Sequence, residues 1–274
     1  MMSNRLPISA VIIASNEEKN ISRCLDSVHS WVEEIIVVVN DCVDRTVEIA
    51  ESYGAKVIEH PWQNFRDQRN FAKQLATKDW ILSIDADEAV SEELRSSILM
   101  FVADNDKRYN GAEFKRIVFF LNKWIHHGDW YPDHCRRLFR KDYGYWAGGL
   151  VHEQLKIDGK VKLLNGNLLH YTYDSTRKHI EMMLKYTDLF VEDHKLDKVD
   201  IWSIVAHALW KVFRCYVIKL GFLDGFHGMY IAISQGFFTL YKYTRLLEYQ
   251  SAQAKKQASK LKSKAEKAEK AQDE

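Results

Sequence analysis

The sequence has no excess of charge of either sign and few cysteines. Lys and Arg total 39 against 38 Asp and Glu, a formal net charge of +1. Balanced charge gives no general attraction for polyanions, so a nucleic-acid partner is not indicated. The four cysteines stand far apart and form no C-x-x-C pair, which disfavours a zinc site or a disulfide framework and favours a reducing cytosol.

A long apolar segment is also missing near the first residues. The run "ISAVIIAS" (8–15) is followed at once by the acidic "NEEKN", so it is too short for a signal peptide or a membrane span. We therefore expect no export signal at this end. With 274 residues, 46% of them hydrophobic, the chain can bury one large domain and carry an appendage.

Strand and helix patterns alternate through the first hundred residues. Because helical segments separate the strands, we predict an α/β fold with a parallel sheet and right-handed crossovers. One helix is predicted from Glu17 to Trp31 with Asn16 as N-cap, and a second begins at a capping Asp44. The predicted strands are short, nearly continuous apolar runs, typical of strands covered on both faces, at 8–15, 34–40, 55–60 and 80–87.

Polar loops follow the first, second and fourth predicted strands, with the sequences "SNEE", "NDCVD" and "DADE". The carboxyl ends of parallel strands share one edge of the sheet, where ligands bind in such folds. Strand alternation would put Asp85 and Asp87 on the same side, and neighbouring carboxylates repel each other unless a cation lies between them. We therefore predict Mg²⁺ or Mn²⁺ there. In the alternative interpretation, "DADE" only caps a helix that begins near Ser91.

Two glycine-rich phosphate-binding motifs are absent. No G-x-G-x-x-G follows the first strand, and no G-x-x-x-x-G-K-[ST] occurs anywhere, so the dinucleotide and P-loop classes are disfavoured. The remaining hypothesis is a nucleotide-binding sheet that handles phosphates through a metal ion.

Three segments together resemble the inverting GT-A glycosyltransferases of family 2: "AVIIASNEEKNISRCLDSV", "IIVVVNDCVDRTVEIAESYGAKVI" and "QRNFAKQLATKDWILSIDADE". Later segments, "WIHHGDWYPDHCRRLFRK", "VHEQL", "LLHYTYDS" and "GFLDGFHGMYIA", are similar to the branch that builds the lipopolysaccharide core. The resemblance covers residues 6 to 247. It implies a GT-A mixed sheet and transfer of a hexose. The expected donor is UDP-glucose, and the expected transferred sugar is glucose.

The resemblance assigns roles at the donor site. Asn16 and Glu17 would contact the nucleotide base, Asp85 the ribose, and Asp87 the metal ion. Arg69, in the third segment, is assigned to the nucleotide-sugar site with them. The bound metal would neutralise charge on the departing UDP.

The loop after the second strand departs from the family pattern. The family commonly has a D-S-G-S-T-D-like loop, whereas "NDCVD" is one residue shorter and begins with Asn40. Either Asn40 or Asp41 would contact the nucleoside. Asp44 is assigned equally to a binding role or to helix capping.

Inverting transfer needs a base that removes the proton of the acceptor hydroxyl. The candidates are Glu153 in "GGLVHEQ" and Asp133 in "WYPDH". The resemblance favours Glu153, because a carboxylate after the corresponding glycine-containing loop lies beside the acceptor. For Asp133, a simple turn role is the alternative.

Cations and aromatic residues in the second half complete the predicted site. His170 ends the apolar run that, by the resemblance, returns to the diphosphate, so we assign it to the metal or phosphate. Arg136 and Arg137 are assigned to the pyrophosphate, and the alternative for one of the pair is that it is only solvated. Four aromatic residues are candidates for stacking on sugar rings, with a core role as the alternative: Trp124, Trp130, Tyr131 and Trp146.

The C-terminal third is amphipathic and basic. Apolar residues recur at helical spacing from Trp202 to Leu220 and again from Phe222 to Leu247. Residues 201–249 carry a net charge of +3, which suits the surface of an anionic bilayer, although packing on the sheet or on a second subunit is the alternative. Charged residues interrupt both segments, so neither is expected to span a membrane.

The predicted organisation is a GT-A domain at 1–180, an amphipathic membrane-associating or dimerising region at 181–250, and a polar, solvated tail at 251–274. The predicted protein is a cytoplasmic, peripheral-membrane hexosyltransferase that uses a UDP-sugar, a divalent metal and a lipid-linked saccharide acceptor. A nucleotidyltransferase and a non-catalytic scaffold remain the alternatives. The first should have a glycine-rich basic loop after strand one, and the second should have lost the site residues.

Overall fold

The computed structural model describes residues 5–148, 153–195 and 200–270, with side-chain surroundings through Leu261. The chain divides into two compact units, Met1–Thr176 and Arg177–Glu274.

The first unit is built on one mixed sheet, and its strands follow the apolar runs of the sequence. The sheet and a separate two-stranded ribbon contain these strands: β1 (Leu6–Ala14), β2 (Val32–Val39), β3 (Lys56–Glu59), β4 (Trp80–Asp85), β5 (Glu88–Val90), β6 (Tyr109–Phe120), β7 (Lys123–Ile125), β8 (Asp133–Arg140), β9 (Gly144–Ala147), β10 (Gln154–Ile157) and β11 (Lys160–Tyr173). The main sheet has the order β3-β2-β1-β4-β8-β6-β11-β5, with β7 beside β6, and β9 pairs with β10.

Strands β1 to β4 are parallel, and β8 then runs antiparallel to β4. The start of β8 therefore lies at the edge where β1, β2 and β4 end. Strand β6 is antiparallel to β8, and β11 is parallel to β6, so the ends of β6 and β11 reach the same edge. This strand order brings residues from distant parts of the sequence to one edge of the sheet.

Helices cover both faces of the sheet. The helices of the first unit are α1 (Ile21–Asp26), α2 (Thr46–Ser52), α3 (Phe65–Leu75) and α4 (Glu92–Asp104). One buried cluster joins β1 and β4 to α1, α2 and α4, and a second joins the opposite face to α3 and β9. The alternation along β1, with Ile12 in the first cluster and Val11 in the second, explains its continuous apolar sequence. The predicted α/β class and all four predicted strands are confirmed.

Two local predictions are wrong. The helix predicted from Glu17 occupies only α1, because Asn16 has a φ of 56° and lies in a loop rather than at a helix start. Strand β4 ends at Asp85, and Ala86 and Asp87 form a turn, so strand alternation does not place the two carboxylates on one side. Ser91, by contrast, caps α4 through its side chain, which accepts the N–H of Leu94.

The second unit is helical. It contains α5 (Thr176–Asp193, which begins at the last residue of the first unit), α6 (Ile201–Phe213) and α7 (Phe226–Lys270), and a π-helical turn, Arg214–Ile218, extends α6. The two predicted amphipathic segments correspond to α6 with this turn and to the first part of α7. Residues from Ser251 continue α7 and are almost all exposed as far as Leu261.

Within the described residues, one stretch, Ile201–Ile218, is long and apolar enough to cross a membrane by length and composition. This differs from the expectation that charges would exclude both segments. The stretch contains only two charged residues, Lys211 and Arg214.

Candidate active site

The loops after β1 and β2 are hydrogen-bonded to each other. The Oδ1 atom of Asn16 accepts the backbone N–H of Val43 at 2.8 Å. The N–H of Glu17 donates to Oγ1 of Thr46 at 2.7 Å, and Thr46 is buried at the start of α2. Asn16 and Glu17 therefore lie at the predicted edge, where Asn16 fixes the loop geometry.

In the second loop, the structure separates three polar residues by environment. Asn40 donates through Nδ2 to Oδ2 of Asp41 at 3.1 Å, and Asp41 is exposed. Asp44 accepts the backbone N–H of Thr46 and that of Glu18, each at 3.0 Å, so it holds the two loops together, while Arg45 is the N-cap residue of α2. Asn40 and Asp41 remain the candidates for nucleoside contact.

At the end of β4, Asp85 is held by two guanidinium groups from different elements. Its Oδ2 atom accepts from Nη2 of Arg69, on α3, and from Nη2 of Arg137, on β8, each at 3.0 Å. Both arginines are buried. The ring of Trp146 lies under them, with its centroid 4.6 Å from the guanidinium carbon of Arg69 and 5.4 Å from that of Arg137. Trp146 thus stacks on guanidinium groups.

Glu88 connects this end of β4 to strand β6. Its Oε2 atom accepts the N–H of Asp85 at 2.9 Å, and its Oε1 atom accepts from Arg116 at 3.0 Å and from Arg137 at 3.3 Å. Burial and the neighbouring Asp85 carboxylate raise the pKa of Glu88, while Arg116 acts to lower it. Glu88 and Arg116 had no assigned role in the sequence analysis. The only sequence signal for Arg116 is a lone arginine in the apolar end of a strand, "FKRIVFF".

Asp87 faces His170 beside this network. The distance from His170 Nε2 to Asp87 Oδ2 is 3.3 Å, and the antiparallel pairing of β5 with β11 sets His170 opposite Glu88. Burial acts to raise the pKa of Asp87, but His170 lowers it below the ordinary value. Burial acts to lower the pKa of His170, and Asp87 raises it above the ordinary value. The two side chains therefore favour the charged pair.

The pair can be tested as a metal site. Among the described residues, no group of three or more His, Cys, Asp or Glu side chains is arranged to hold a metal ion. A carboxylate and an imidazole nevertheless fit a Mg²⁺ or Mn²⁺ ion that takes its other oxygen ligands from water and a diphosphate. The ring atom of His170 that faces Asp87 is Nε2, which Oγ1 of Thr172 also contacts, so a metal ion held between the two side chains at Nε2 would replace these contacts. The buried Nδ1 atom of His170 has no hydrogen-bond partner among the described residues.

The two candidate bases differ in their partners. Glu153 lies with its Oε1 atom 3.9 Å from Nη2 of Arg69, next to Asp85. Asp133 is bound through Oδ2 by Nη2 of Arg116 at 2.7 Å. Residues 149–152, which precede Glu153, lie outside the described residues. Both carboxylates reach the predicted edge, and Glu153 has the looser ion pair of the two.

One predicted cation points elsewhere. Arg136 is exposed, and its Nε atom donates to Oε2 of Glu113 at 3.2 Å, whereas Arg137, the next residue on β8, is buried in the network. Trp124 packs against the rings of Phe119 and Tyr171. The structure thus brings together Asp85, Asp87, Glu153, His170 and the two buried arginines, and it leaves Arg136 outside.

Comparison with known proteins identifies the family of the chain. The sequence model of glycosyl transferase family 2 matches residues 9–153, slightly more than half of the chain. This match and the mixed sheet define a glycosyltransferase with a fold of the GT-A type. The chain belongs to glycosyl transferase family 2.

The relatives include proteins named as glycosyltransferases. The chain is 32% identical over 243 residues to an uncharacterized glycosyltransferase of Rickettsia felis, covering 81% of this chain and 82% of that one. It is 29% identical over 182 residues to the lipopolysaccharide core biosynthesis glycosyltransferase LpsC of Rhizobium meliloti, covering 62% of this chain and 65% of LpsC. A crystal structure of S. aureus TarS with UDP is similar with a TM-score of 0.45 and 15% identity, covering 79% of this chain and 74% of that one.

Proposed function

We propose that the protein transfers a hexose, with glucose the expected sugar, from a UDP-sugar to a saccharide acceptor with inversion at the anomeric carbon. The acceptor would be lipid-linked, of the lipopolysaccharide inner-core kind. The observation that carries the proposal is the convergence of Asp85, Asp87, Arg69, Arg137 and His170 at the carboxyl edge of a family 2 sheet.

Donor binding would use the loop edge and the buried cations. Asn16 and Glu17 follow the end of β1 and would contact the base, and Asn40 or Asp41 would contact the nucleoside. Asp85 would accept hydrogen bonds from the ribose. Arg69 and Arg137 pair with Asp85 through Nη2, and the Nε and Nη1 atoms of Arg69 and the Nε atom of Arg137 have no hydrogen-bond partner among the described residues, so these N–H groups would donate to the diphosphate.

Asp87 and His170 would hold Mg²⁺ or Mn²⁺. When bound, the metal supplies a Lewis acid that stabilises the negative charge of the departing UDP. Thr172, whose Oγ1 atom lies 2.5 Å from Nε2 of His170, would orient the imidazole for this contact.

Glu153 is the proposed general base. It lies beside Arg69 without a close ion pair, at 3.9 Å, so its carboxylate is available to accept a proton from the acceptor hydroxyl. Asp133 is less available because Arg116 holds it at 2.7 Å. Direct displacement with one base gives inversion, and no covalent intermediate is required.

The proposed setting is the cytoplasmic face of the cell membrane, with the protein bound peripherally. The LpsC similarity and the basic, apolar second unit support a lipid-linked acceptor. Pairing of two copies through the C-terminal helices is the alternative use of that surface.

The test is a product assay with purified protein, Mn²⁺, a panel of UDP-hexoses and lipid-linked oligosaccharide. We expect UDP release that depends on both metal and acceptor, and a product whose anomeric configuration by NMR is opposite to that of the donor. Pyrophosphate release from a sugar phosphate and UTP would instead indicate a nucleotidyltransferase. If folded protein released neither UDP nor pyrophosphate, the scaffold alternative would replace the proposal.

A further inference from the structure

The α6–α7 pair is held together closely by small residues. A Cβ atom added to Gly236 on α7 would lie 2.3 Å from Cγ2 of Val212 and 3.1 Å from the carbonyl oxygen of Ala208, both on α6. One added to Gly228, nearer the start of α7, would meet the carbonyl oxygen of Gly221 in the connection. The two helices therefore form an antiparallel hairpin, which we name the α6–α7 hairpin (residues 201–241). Small residues that allow close backbone approach are typical of helix pairs in lipid.

Large apolar side chains of the hairpin point outward. The most exposed of them, between 64% and 80% exposed in the structure, are Ile201, Trp202, Leu209 and Phe226. A water-soluble helix pair normally places such residues in its interface and shows polar residues to the solvent. An exposed apolar surface of this extent indicates a binding surface.

On each helix, exposed apolar residues recur at helical spacing and form a strip. On α6, Trp202, Val205, Leu209 and Phe213 recur at intervals of three and four residues, which places them on one side. On α7, the residues from Phe226 to Leu240 recur in the same way.

Helix α6 also has a polar side along its whole length. Ser203, His207, Lys211 and Arg214 recur at intervals of four and three residues, and Ser203 and His207 are hydrogen-bonded to each other at 3.1 Å. Although the stretch is long enough to span a bilayer, a spanning orientation would place this polar side in hydrocarbon. A helix lying in the plane of the interface keeps it among headgroups.

The charge of the hairpin region favours an anionic bilayer over a second copy of the chain as its partner. The hairpin, residues 201–241, carries three Lys and Arg against one acid, Asp224, which is buried. Two further basic residues, Lys242 and Arg245, follow the hairpin, and Arg245 pairs with Glu248 at 2.6 Å. A basic surface attracts anionic lipid headgroups and repels a second copy of itself.

We propose that the α6–α7 hairpin lies in the plane of an anionic bilayer, with the apolar strips of both helices in the acyl boundary and the polar side of α6 among the headgroups. The inference rests on the proposed function in one respect: membrane binding would bring the enzyme to a lipid-linked acceptor. The surface itself follows from exposure, spacing and charge.

The test is co-sedimentation of the full chain with preformed vesicles, in the absence of donor and acceptor. We expect binding to phosphatidylcholine vesicles that contain phosphatidylglycerol, weaker binding to phosphatidylcholine alone, and release by high salt and dilution. The double variant Trp202→Ser/Leu209→Ser should bind at least about tenfold more weakly, since it removes two large apolar side chains from the interface. The control Met100→Ser/Leu163→Ser removes two exposed apolar residues of the first unit and should bind like the parent.

Circular dichroism and size-exclusion chromatography with light scattering accompany each variant. A parent protein that does not bind anionic vesicles would overturn the inference, and so would a folded double variant that binds them equally well. If the parent protein formed a stable dimer and did not bind vesicles, and the double variant were monomeric, the surface would be assigned to a second copy of the chain. Binding that survives high salt and dilution would favour a spanning segment and contradict the in-plane orientation. Because no UDP-sugar is present, these outcomes are independent of the proposed transfer reaction.

Discussion

Arg137 joins Asp85 to Glu88 through one nitrogen atom, with its Nη2 3.0 Å from Asp85 Oδ2 and 3.3 Å from Glu88 Oε1. The carboxylate of Glu88 is fully buried and that of Asp85 is mostly so. Buried carboxylates that lose a cation are strongly destabilised. The guanidinium of Arg137 therefore holds the end of β4 in place.

Arg137→Met should destabilise the first unit by about 3 kcal/mol, because it leaves Asp85 and Glu88 with fewer compensating charges in a buried site. Urea unfolding measures the change. The matched control is Arg136→Met at the next position of β8, where the exposed side chain pairs only with Glu113 and should change stability by less than about 1 kcal/mol. Equal losses in the two variants would contradict the described network.

Glu153→Gln should leave UDP binding intact and stop transfer. The substitution keeps the shape of the side chain and removes its ability to accept a proton, which lowers the rate typically by about a hundredfold or more. Single-turnover transfer and UDP titration of the same sample separate the two effects. Retained turnover would shift the base assignment to Asp133, and the parallel variant Asp133→Asn would then be expected to lose activity.

The second unit should lose stability in acid through His179. Burial lowers the pKa of His179 to about 4, and its ring contacts the hydroxyl of Tyr230 at 3.0 Å. The unfolded chain, with a pKa near 6.5, takes up this proton more readily than the folded one. The stabilisation is therefore present above about pH 6.5 and is lost as the pH falls toward 4, by at most about 3 kcal/mol.

Thermal unfolding of the second unit between neutral pH and pH 4 checks this dependence. His179→Gln should flatten the profile, whereas His207→Gln, on the exposed side of α6, should leave it unchanged. A profile that is identical in the parent and His179→Gln would contradict the assignment.

Removing residues 251–274 should leave transfer activity nearly intact. The residues of α7 from Ser251 to Leu261 are almost all exposed, so their loss exposes little apolar surface. A shorter chain that ends at Tyr241 is the contrasting variant, because it also removes the buried Leu246 and the Arg245–Asp188 pair at 3.4 Å. The chain that ends at Tyr241 should lose stability, whereas a large loss of activity on removal of residues 251–274 alone would show that the exposed tail has a role.

Much of the sheet could be predicted from local sequence. Strands β1 to β4 are continuous apolar runs separated by helical patterns, and parallel strands place their terminal loops at one edge. Asp85, Asp87 and the Asn16 loop were located on this basis. The family resemblance added Glu153, His170 and the arginines, which local patterns do not distinguish from solvated residues.

The parts that could not be predicted depend on non-local pairing. The contact of Arg116 with Glu88 requires β6 to lie beside β8, and the neighbourhood of His170 and Asp87 requires the short β5 to pair with β11. The distinction between Arg136 and Arg137 follows from which face of β8 is covered. The left-handed backbone of Asn16 shortened the predicted first helix, because a residue that suits an N-cap also tolerates a positive φ.

The most direct test of the proposed donor site is calorimetric titration of UDP into the purified full chain, first with Mn²⁺ and then with a chelator. The account predicts binding that requires the metal and is lost in Asp87→Asn, while Asp142→Asn, an exposed carboxylate of the same unit, binds like the parent. No UDP binding by a folded parent protein in either condition would contradict the account, and metal-dependent binding that persists in Asp87→Asn would contradict the assigned metal ligand.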